Sequence, residues 1–181
     1  EQDRALISLL HPSRLLDIIR NFIIYDNNVK KICRYKQYFA VKKCMSRILL
    51  QDGQNTRNGV VWHTQGSGKT ITMIMLTKMI LRESLKSNSI IKKPRFVMVT
   101  DRVNLDKQIR DNFIHTQMSP HRAKTGTGLI ELLQDEGNTV ITSLVNKFEA
   151  AIKLEYCNDS ENLFLFIDEG HRTQYGKLNI Y

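Results

Sequence analysis

Of everything in this 181-residue sequence, the stretch Val60-Val-Trp-His-Thr-Gln-Gly-Ser-Gly-Lys-Thr-Ile-Thr-Met73 most restricts the possible folds. A short apolar segment runs into a loop with two glycines, and Lys-Thr then opens an apolar helix, which is the context of a phosphate-binding loop as well as its spelling. Gly66 and Gly68 let successive backbone N–H groups turn inward to form an anion nest, and the helix N-terminus adds its positive dipole end. Thr64, Gln65, Gly66, Ser67 and Gly68 would then cradle the phosphates of a nucleotide, Lys69 would reach the β- and γ-phosphates, and the Thr70 hydroxyl would ligate Mg²⁺. A chance GxGK[ST] would turn up in a chain this long about once in a few hundred sequences. The full pattern asks for a small residue at position 63, where this chain has His63, and that departure leaves room for a fortuitous glycine-rich turn.

The surroundings suit such a loop. Short apolar runs at Val60–Trp62, Phe96–Thr100, Thr139–Thr142 and Leu163–Ile167 alternate with the helical segments Lys69–Leu85 and Arg102–Phe113. Strands separated by helical crossovers predict an α/β fold with a parallel sheet covered on both faces. Ahead of them, Leu15, Ile18, Ile19, Phe22 and Ile23 form one stripe of a helix over Pro12–Ile24. Asn27-Asn28 predicts a turn, a second helix runs from Tyr35 to about Leu50, and Gln51–Gly59 reads as a loop. The expected organisation is a helical lead-in over 1–58 and an α/β domain over 59–181, with no linker or repeat between them.

A nucleotide-hydrolysing site needs an acid at the end of a neighbouring strand. Leu163-Phe-Leu-Phe-Ile167 followed by Asp168-Glu169-Gly170-His171 supplies one, because a continuous apolar run is what a strand buried on both faces looks like, and ligands bind at its carboxyl end. Asp168 would act on Mg²⁺ and Glu169 would orient or deprotonate an attacking water; the alternative is a surface turn with ordinary charges. His171 has no partner at metal-ligand spacing. The charge of +9 lies in the first two thirds of the chain, with seven Lys or Arg and no acid from Lys30 to Arg47. That bias suits a polyanion such as nucleic acid, and a solvated helix face is the competing reading. With 41% hydrophobic residues the chain is not disordered, and its longest apolar stretches, of about five residues, are far below the roughly 20 that cross a bilayer. Three cysteines in no CxxC pattern fit neither a disulfide framework nor a zinc site, so a reducing cytoplasm is expected.

Asp-Glu-x-His after a buried strand, with His-Thr-Gln-Gly-Ser-Gly-Lys-Thr upstream, resembles a superfamily 2 helicase or translocase, although Gly170 stands where Ala is more usual. Leu15-Leu-Asp-Ile-Ile-Arg-Asn-Phe22, Arg34-Tyr-Lys-Gln-Tyr-Phe-Ala-Val41, Val99-Thr-Asp-Arg102 with Leu105-Asp106, Lys147-Phe148 and Ile167-Asp-Glu-Gly-His-Arg-Thr-Gln-Tyr-Gly176 narrow the likeness. Together they resemble the motor (R) subunit of type I restriction enzymes, from about Leu15 to the end of the chain. In that family a His before the loop is the usual form, so His63 becomes supporting evidence.

The resemblance implies a RecA-like first motor domain, incomplete here and preceded by two helices. ATP and Mg²⁺ would be its cofactors, double-stranded DNA its track, and the modification (methyltransferase) and specificity subunits its partners. By position Gln37 matches the glutamine that reads the adenine edge, with a surface helix residue as the alternative. Arg102 matches a phosphate contact, with an ion pair as the alternative; Thr142 and Lys147 match a further DNA-side motif, with a helix cap and a solvated lysine as theirs. Trp62 is expected to pack rather than stack on a base. The family's nuclease core carries Glu-x-Lys, which occurs nowhere in this sequence, and with no Met at Glu1 the chain is expected to be a fragment. A later strand would fill the sheet between the loop strand and the acidic strand, and a second domain would supply an arginine, so the chain alone is expected to be silent. Two rival readings are another superfamily 2 motor, and a nucleotide-sensing DNA-binding module without turnover.

Overall fold

A computed structural model describes residue 7 and residues 10–50, 57–64 and 66–169. The chain divides into two compact units, Glu1–Ile90 and Ile91–Tyr181.

In the first unit, helix α1 spans Pro12–Asn21, with proline in the first turn where a missing N–H costs nothing. The chain then departs from the expected longer helix. Ile23–Asp26 is strand β1, and it pairs antiparallel with β2, Val29–Ile32, in the register Ile24↔Lys31 and Tyr25↔Lys30. Asn27 and Asn28, with φ of 50° and 64°, form the two-residue connection. Both lie in the left-handed region that a type I′ hairpin turn requires and that asparagine tolerates. The Cys33 N–H closes the hairpin onto the Phe22 carbonyl at 3.1 Å. Helix α2, Tyr35–Ile48, buries Gln37, Val41, Met45 and Ile48. It packs on helix α3, Lys69–Ser84. Phe22 and Tyr38 meet with ring centroids 4.7 Å apart, and the Arg82 guanidinium donates to Asn21 Oδ1 at 2.8 Å, tying α3 to α1. The expected loop after α2 lies outside the described residues over positions 51–56.

The expected strand at Val60–Trp62 does not form. Val60 is 89% and Trp62 86% exposed, and the segment pairs with no strand among the described residues. β-propensity reports fit to a half-buried pleated surface, and three β-prone residues without a neighbouring strand have none to fit.

The second unit is a four-stranded parallel sheet in which Pro120–Arg122, Val140–Leu144, Arg95–Thr100 and Leu163–Ile167 lie side by side in that order. Its strands are β3 (Arg95–Thr100), β4 (Pro120–Arg122), β5 (Val140–Leu144) and β6 (Leu163–Ile167). Helix α4 (Val103–His115) joins β3 to β4, α5 (Gly126–Gln134) joins β4 to β5, and a 3-10 turn (Val145–Lys147) with α6 (Phe148–Lys153) joins β5 to β6. This is the RecA-like α/β arrangement. Strand β3 is buried from Phe96 to Thr100, as a central parallel strand covered on both faces must be. Val97, Val99, Ala123, Leu129, Leu133 and Ile141 form a core cluster, while Phe96 stacks on Phe164 at 5.5 Å. The Arg95 guanidinium donates to the Leu132 and Leu133 carbonyls, capping the C-terminal end of α5.

Candidate nucleotide-binding site

The glycine-rich loop lies in the first unit and has the backbone its spelling asks for. Gly66 and Gly68 have φ of 75° and 82°, and Gly68 is the N-cap of the 16-residue helix α3. The Ser67 N–H turns back to the Thr64 carbonyl at 3.2 Å, and the Thr72 N–H reaches the Gly68 carbonyl at 3.1 Å. Lys69 and Thr70 are the first two helical residues, so their N–H groups belong to the set that has no partner within the helix. Ser67 Oγ is buried with no hydrogen-bond partner, an orphaned polar atom within the cradle. A nest of two left-handed glycines at a helix N-terminus, with an unpartnered Ser67 hydroxyl, fits a nucleotide phosphate chain. Gln65 lies outside the described residues. His63 is half-buried with its Nδ1 unpartnered, and the exposed Trp62 does not pack as expected.

Gln37 reaches this loop from α2. Its Oε1 accepts from the Arg34 N–H at 2.8 Å, and its Nε2 donates to the carbonyls of Ser67 and Gly68 at 3.3 and 3.2 Å. The side chain is therefore buried rather than on the helix surface, and it braces the phosphate loop. The second lone pair of Oε1 is available for a further donor. Near the start of α2, Asp17 forms a cluster that sequence reasoning missed: Asn21, Tyr38 and Lys42 approach its carboxylate at 2.6, 3.0 and 3.0 Å. Burial works against ionising Asp17, but the hydrogen bonds from Asn21, Lys42 and Tyr38 outweigh it and hold its carboxyl below the usual value. Burial, with the bond to Asp17, pushes the Tyr38 hydroxyl up. The one available signal was the i, i+4 spacing of Asp17 and Asn21.

The acidic residues lie in the second unit. The Asp168 N–H donates to the Val99 carbonyl at 3.0 Å, carrying the β3–β6 ladder one step past Ile167. The Glu169 N–H donates to Asp168 Oδ1 at 3.0 Å, and Glu169 has φ of 53°, a left-handed conformation that non-glycine residues rarely adopt. The structure thus sets Asp168 and Glu169 beside Thr100, Asp101 and Arg102, at the carboxyl ends of adjacent parallel strands. Gly170 and His171 are outside the described residues.

Arg102 Nε is 3.5 Å from Asp101 Oδ2, the ion pair expected as its alternative role, and its side chain is 60% exposed. Lys147 ends the 3-10 turn, half-buried. Thr142 requires a correction. It is fully buried in the middle of β5 with its hydroxyl unpartnered, so no DNA phosphate reaches it as placed. Among the described residues no group of three or more His, Cys, Asp or Glu could hold a metal ion. Among the described residues no helix is long and apolar enough to cross a membrane.

The model of the SWI2/SNF2 ATPase family matches residues 36–181. The chain is 32% identical over 184 residues to a putative type I restriction enzyme MjaIXP endonuclease subunit of Methanocaldococcus jannaschii, covering 97% of this chain and 17% of that protein. It is also 32% identical over 191 residues to the type I restriction enzyme HindI endonuclease subunit of Haemophilus influenzae, covering 97% of this chain and 18% of that protein. Over a shorter stretch of 112 residues, 57% of this chain and 10% of the relative, it is 40% identical to the putative MjaVIIP subunit of M. jannaschii. The chain spans less than a fifth of the length of each of these curated relatives.

Proposed function

The chain belongs to the SWI2/SNF2 ATPase family, and from that premise we propose that it is motor machinery of a type I restriction endonuclease R subunit, coupling ATP hydrolysis to translocation of double-stranded DNA. Residues 1–58 are the lead-in that carries the adenine-reading glutamine, and residues 59–181 are the N-terminal part of the first RecA-like motor domain. The observation that carries this reading is the phosphate loop: two left-handed glycines and a buried, unpartnered Ser67 hydroxyl at the head of α3. The loop from Thr64 to Gly68 binds the phosphate chain, and the Lys69 ammonium draws the β- and γ-phosphates. Gln37 accepts a hydrogen bond from the adenine amino group through the free lone pair of Oε1. Thr70 and Asp168 are the residues that would hold Mg²⁺, which would neutralise charge on the phosphates. Glu169 orients the attacking water and takes its proton. Arg102 and Lys147 contact DNA phosphates without reading sequence, as a motor that passes over every sequence requires. The partners are the modification and specificity subunits, and the compartment is the cytoplasm.

The test uses the full natural protein. Lys69→Ala abolishes Mg-ATP binding, whereas Gln37→Ala erodes the preference for ATP over GTP; equal loss for both nucleotides sinks the adenine assignment. DNA binding falls steeply with salt and is alike on two unrelated duplexes. A flat salt dependence, or a strong preference for one duplex, refutes the phosphate-tracking part.

A further inference from the structure

The basic run singled out in the sequence is not absorbed by the site described above. On α2 it resolves into a face. Gln37, Val41, Met45 and Ile48 are buried along one side of the helix, and the side opposite presents Tyr35, Lys36, Phe39, Lys43 and Arg47. Tyr35 is 70% and Phe39 49% exposed, an unusual use of two aromatic rings on a solvent face. Lys42 at its margin is neutralised by Asp17 at 3.0 Å. Lys36, Lys43 and Arg47 have no acid three or four residues away, and the chain has none between Asp26 and Asp52.

A helix face that serves only to be wet mixes charges of both signs in i, i+4 pairs. Here Lys43 and Arg47 are a like-charged i, i+4 pair, and the first turn of α2 holds no acid. The like-charged pair opposes helix pair energetics and Lys36 in the first turn opposes the dipole, although Arg47 in the last turn suits it, so helix stability does not account for the face as a whole. A polyanion relieves both conflicts. From Lys36 to Arg47 the face is about 16 Å long at 1.5 Å per residue, against which duplex DNA offers a charge about every 1.7 Å of its axis. A single small anion would meet only one of these cations, whereas a phosphodiester backbone meets all of them, and the aromatic rings supply surface for sugars and base edges.

We infer that the outer face of α2, centred on Lys36, Lys43 and Phe39, is a second nucleic-acid contact surface of this protein, gripping the phosphate backbone of duplex DNA. Arg102 and Lys147 belong to the other unit, and the inference rests on the DNA reading above. Arg47 is left out of the test because its Nε donates to the Asn58 carbonyl at 3.0 Å and holds the chain leading to the phosphate loop.

The experiment measures duplex affinity against salt for the full natural protein, for K36Q/K43Q, and for a control of equal charge loss, K86Q/K153Q. Expected for K36Q/K43Q is a salt slope shallower by about 2 and affinity about tenfold weaker at moderate salt, equally on unrelated duplexes, with the control unchanged. Circular dichroism melts check that both variants are folded, and F39A, which removes no charge, weakens binding without altering the slope. A K36Q/K43Q slope equal to wild type, or equal effects in both double variants, overturns the inference while leaving the DNA reading intact. Loss of subunit assembly with an unchanged DNA slope makes the face a protein-docking surface and overturns it too. Absence of salt-dependent DNA binding by the wild type overturns the DNA reading itself, and the inference with it.

Discussion

Gly68→Ala is the most informative change to make in the phosphate loop, because the structure separates its cost into two parts. The first is backbone: Gly68 has φ of 82°, and a residue with a Cβ in the left-handed region costs about 1–2 kcal/mol. The second is contact: a Cβ there would stand 2.7 Å from Gln37 Nε2. That atom is the end of a flexible side chain, so it can swing away, but doing so forfeits its bonds to the Ser67 and Gly68 carbonyls. At about 0.5–1.5 kcal/mol net each, the two bonds add about 1–3 kcal/mol. Gly66 is the internal control, since its φ is 75° but nothing lies within 4 Å of a Cβ placed on it, so Gly66→Ala pays the backbone part alone. Gly68→Ala should therefore destabilise by about 1–3 kcal/mol more than Gly66→Ala, and in a Gln37→Ala background the two should converge. Urea unfolding of the wild type, the three single variants Gly66→Ala, Gly68→Ala and Gln37→Ala, and the two double variants reads this directly. Equal penalties for the two glycines in the wild-type background would falsify the brace between Gln37 and the loop.

Three further outcomes follow from other sites. The carboxyl of Asp17 is held below its ordinary value of 3.8, so its contribution to stability is present above that value and is lost as pH falls through the lowered one. Urea midpoints measured from about pH 6 down to about pH 2.5 should thus fall further for wild type than for Asp17→Asn, and parallel curves would refute the cluster's role. Burial pushes the Cys33 thiol up to about 11 and raises Cys44 as well, while Cys157 is exposed. A disulfide-exchange reagent at neutral pH should titrate Cys157 quickly and Cys33 slowly, and matched rates contradict the assignment. Asp106 is 1% exposed, with Arg122 Nε 2.7 Å from its Oδ2 in a charge contact that lacks the direction of a hydrogen bond. Arg122→Ala leaves that carboxylate unpaired and should cost about 2 kcal/mol in thermal or urea unfolding, less than a fully buried pair because Arg122 is partly exposed; no loss would show the contact to be inert.

The parts of this fold that were legible in the sequence are those with long, unambiguous patterns. Phe96–Thr100 read as a buried strand because a parallel strand covered on both faces has no polar alternation to confuse it. Leu163–Ile167, read the same way, forms a strand but ends the described sheet with Leu165 46% and Ile167 53% exposed, so its burial on both faces is corrected. Lys69 opens the helix as expected, because Gly66 and Gly68 take up the left-handed φ of the loop and Gly68 is the N-cap. Ile23 and Ile24 were misread because they extend the apolar stripe of α1, and two residues cannot distinguish a period of 3.6 from one of 2. Strand β4, three residues beginning at Pro120, is too short to carry a pattern. Helix α5 starts Gly-Thr-Gly, which reads as a loop until the Thr125 hydroxyl is seen accepting from the Gly128 N–H at 2.9 Å. At the site, the residue type of Gln37 was informative but its grip on carbonyls about thirty positions away was not, since spacing along a chain carries no register between a helix and a distant loop. Thr142 was placed at a strand end by its motif, whereas β5 runs on to Leu144 and encloses it.

The hairpin between α1 and α2 restricts how this lead-in can change length in evolution. Its strands are pinned at the root by Phe22 and Cys33 and at the tip by two left-handed asparagines, with Ile24 turned inward at 1% exposure. Because side chains alternate along a strand, inserting or deleting one residue in either arm would turn Ile24 outward and bring Tyr25 in, whereas a paired change, one residue in each arm, would only lengthen or shorten the ribbon. Natural variants should therefore differ in this segment by even numbers of residues, placed symmetrically about Asn27-Asn28, and a variant with a single extra residue in one arm should need a bulge to absorb it.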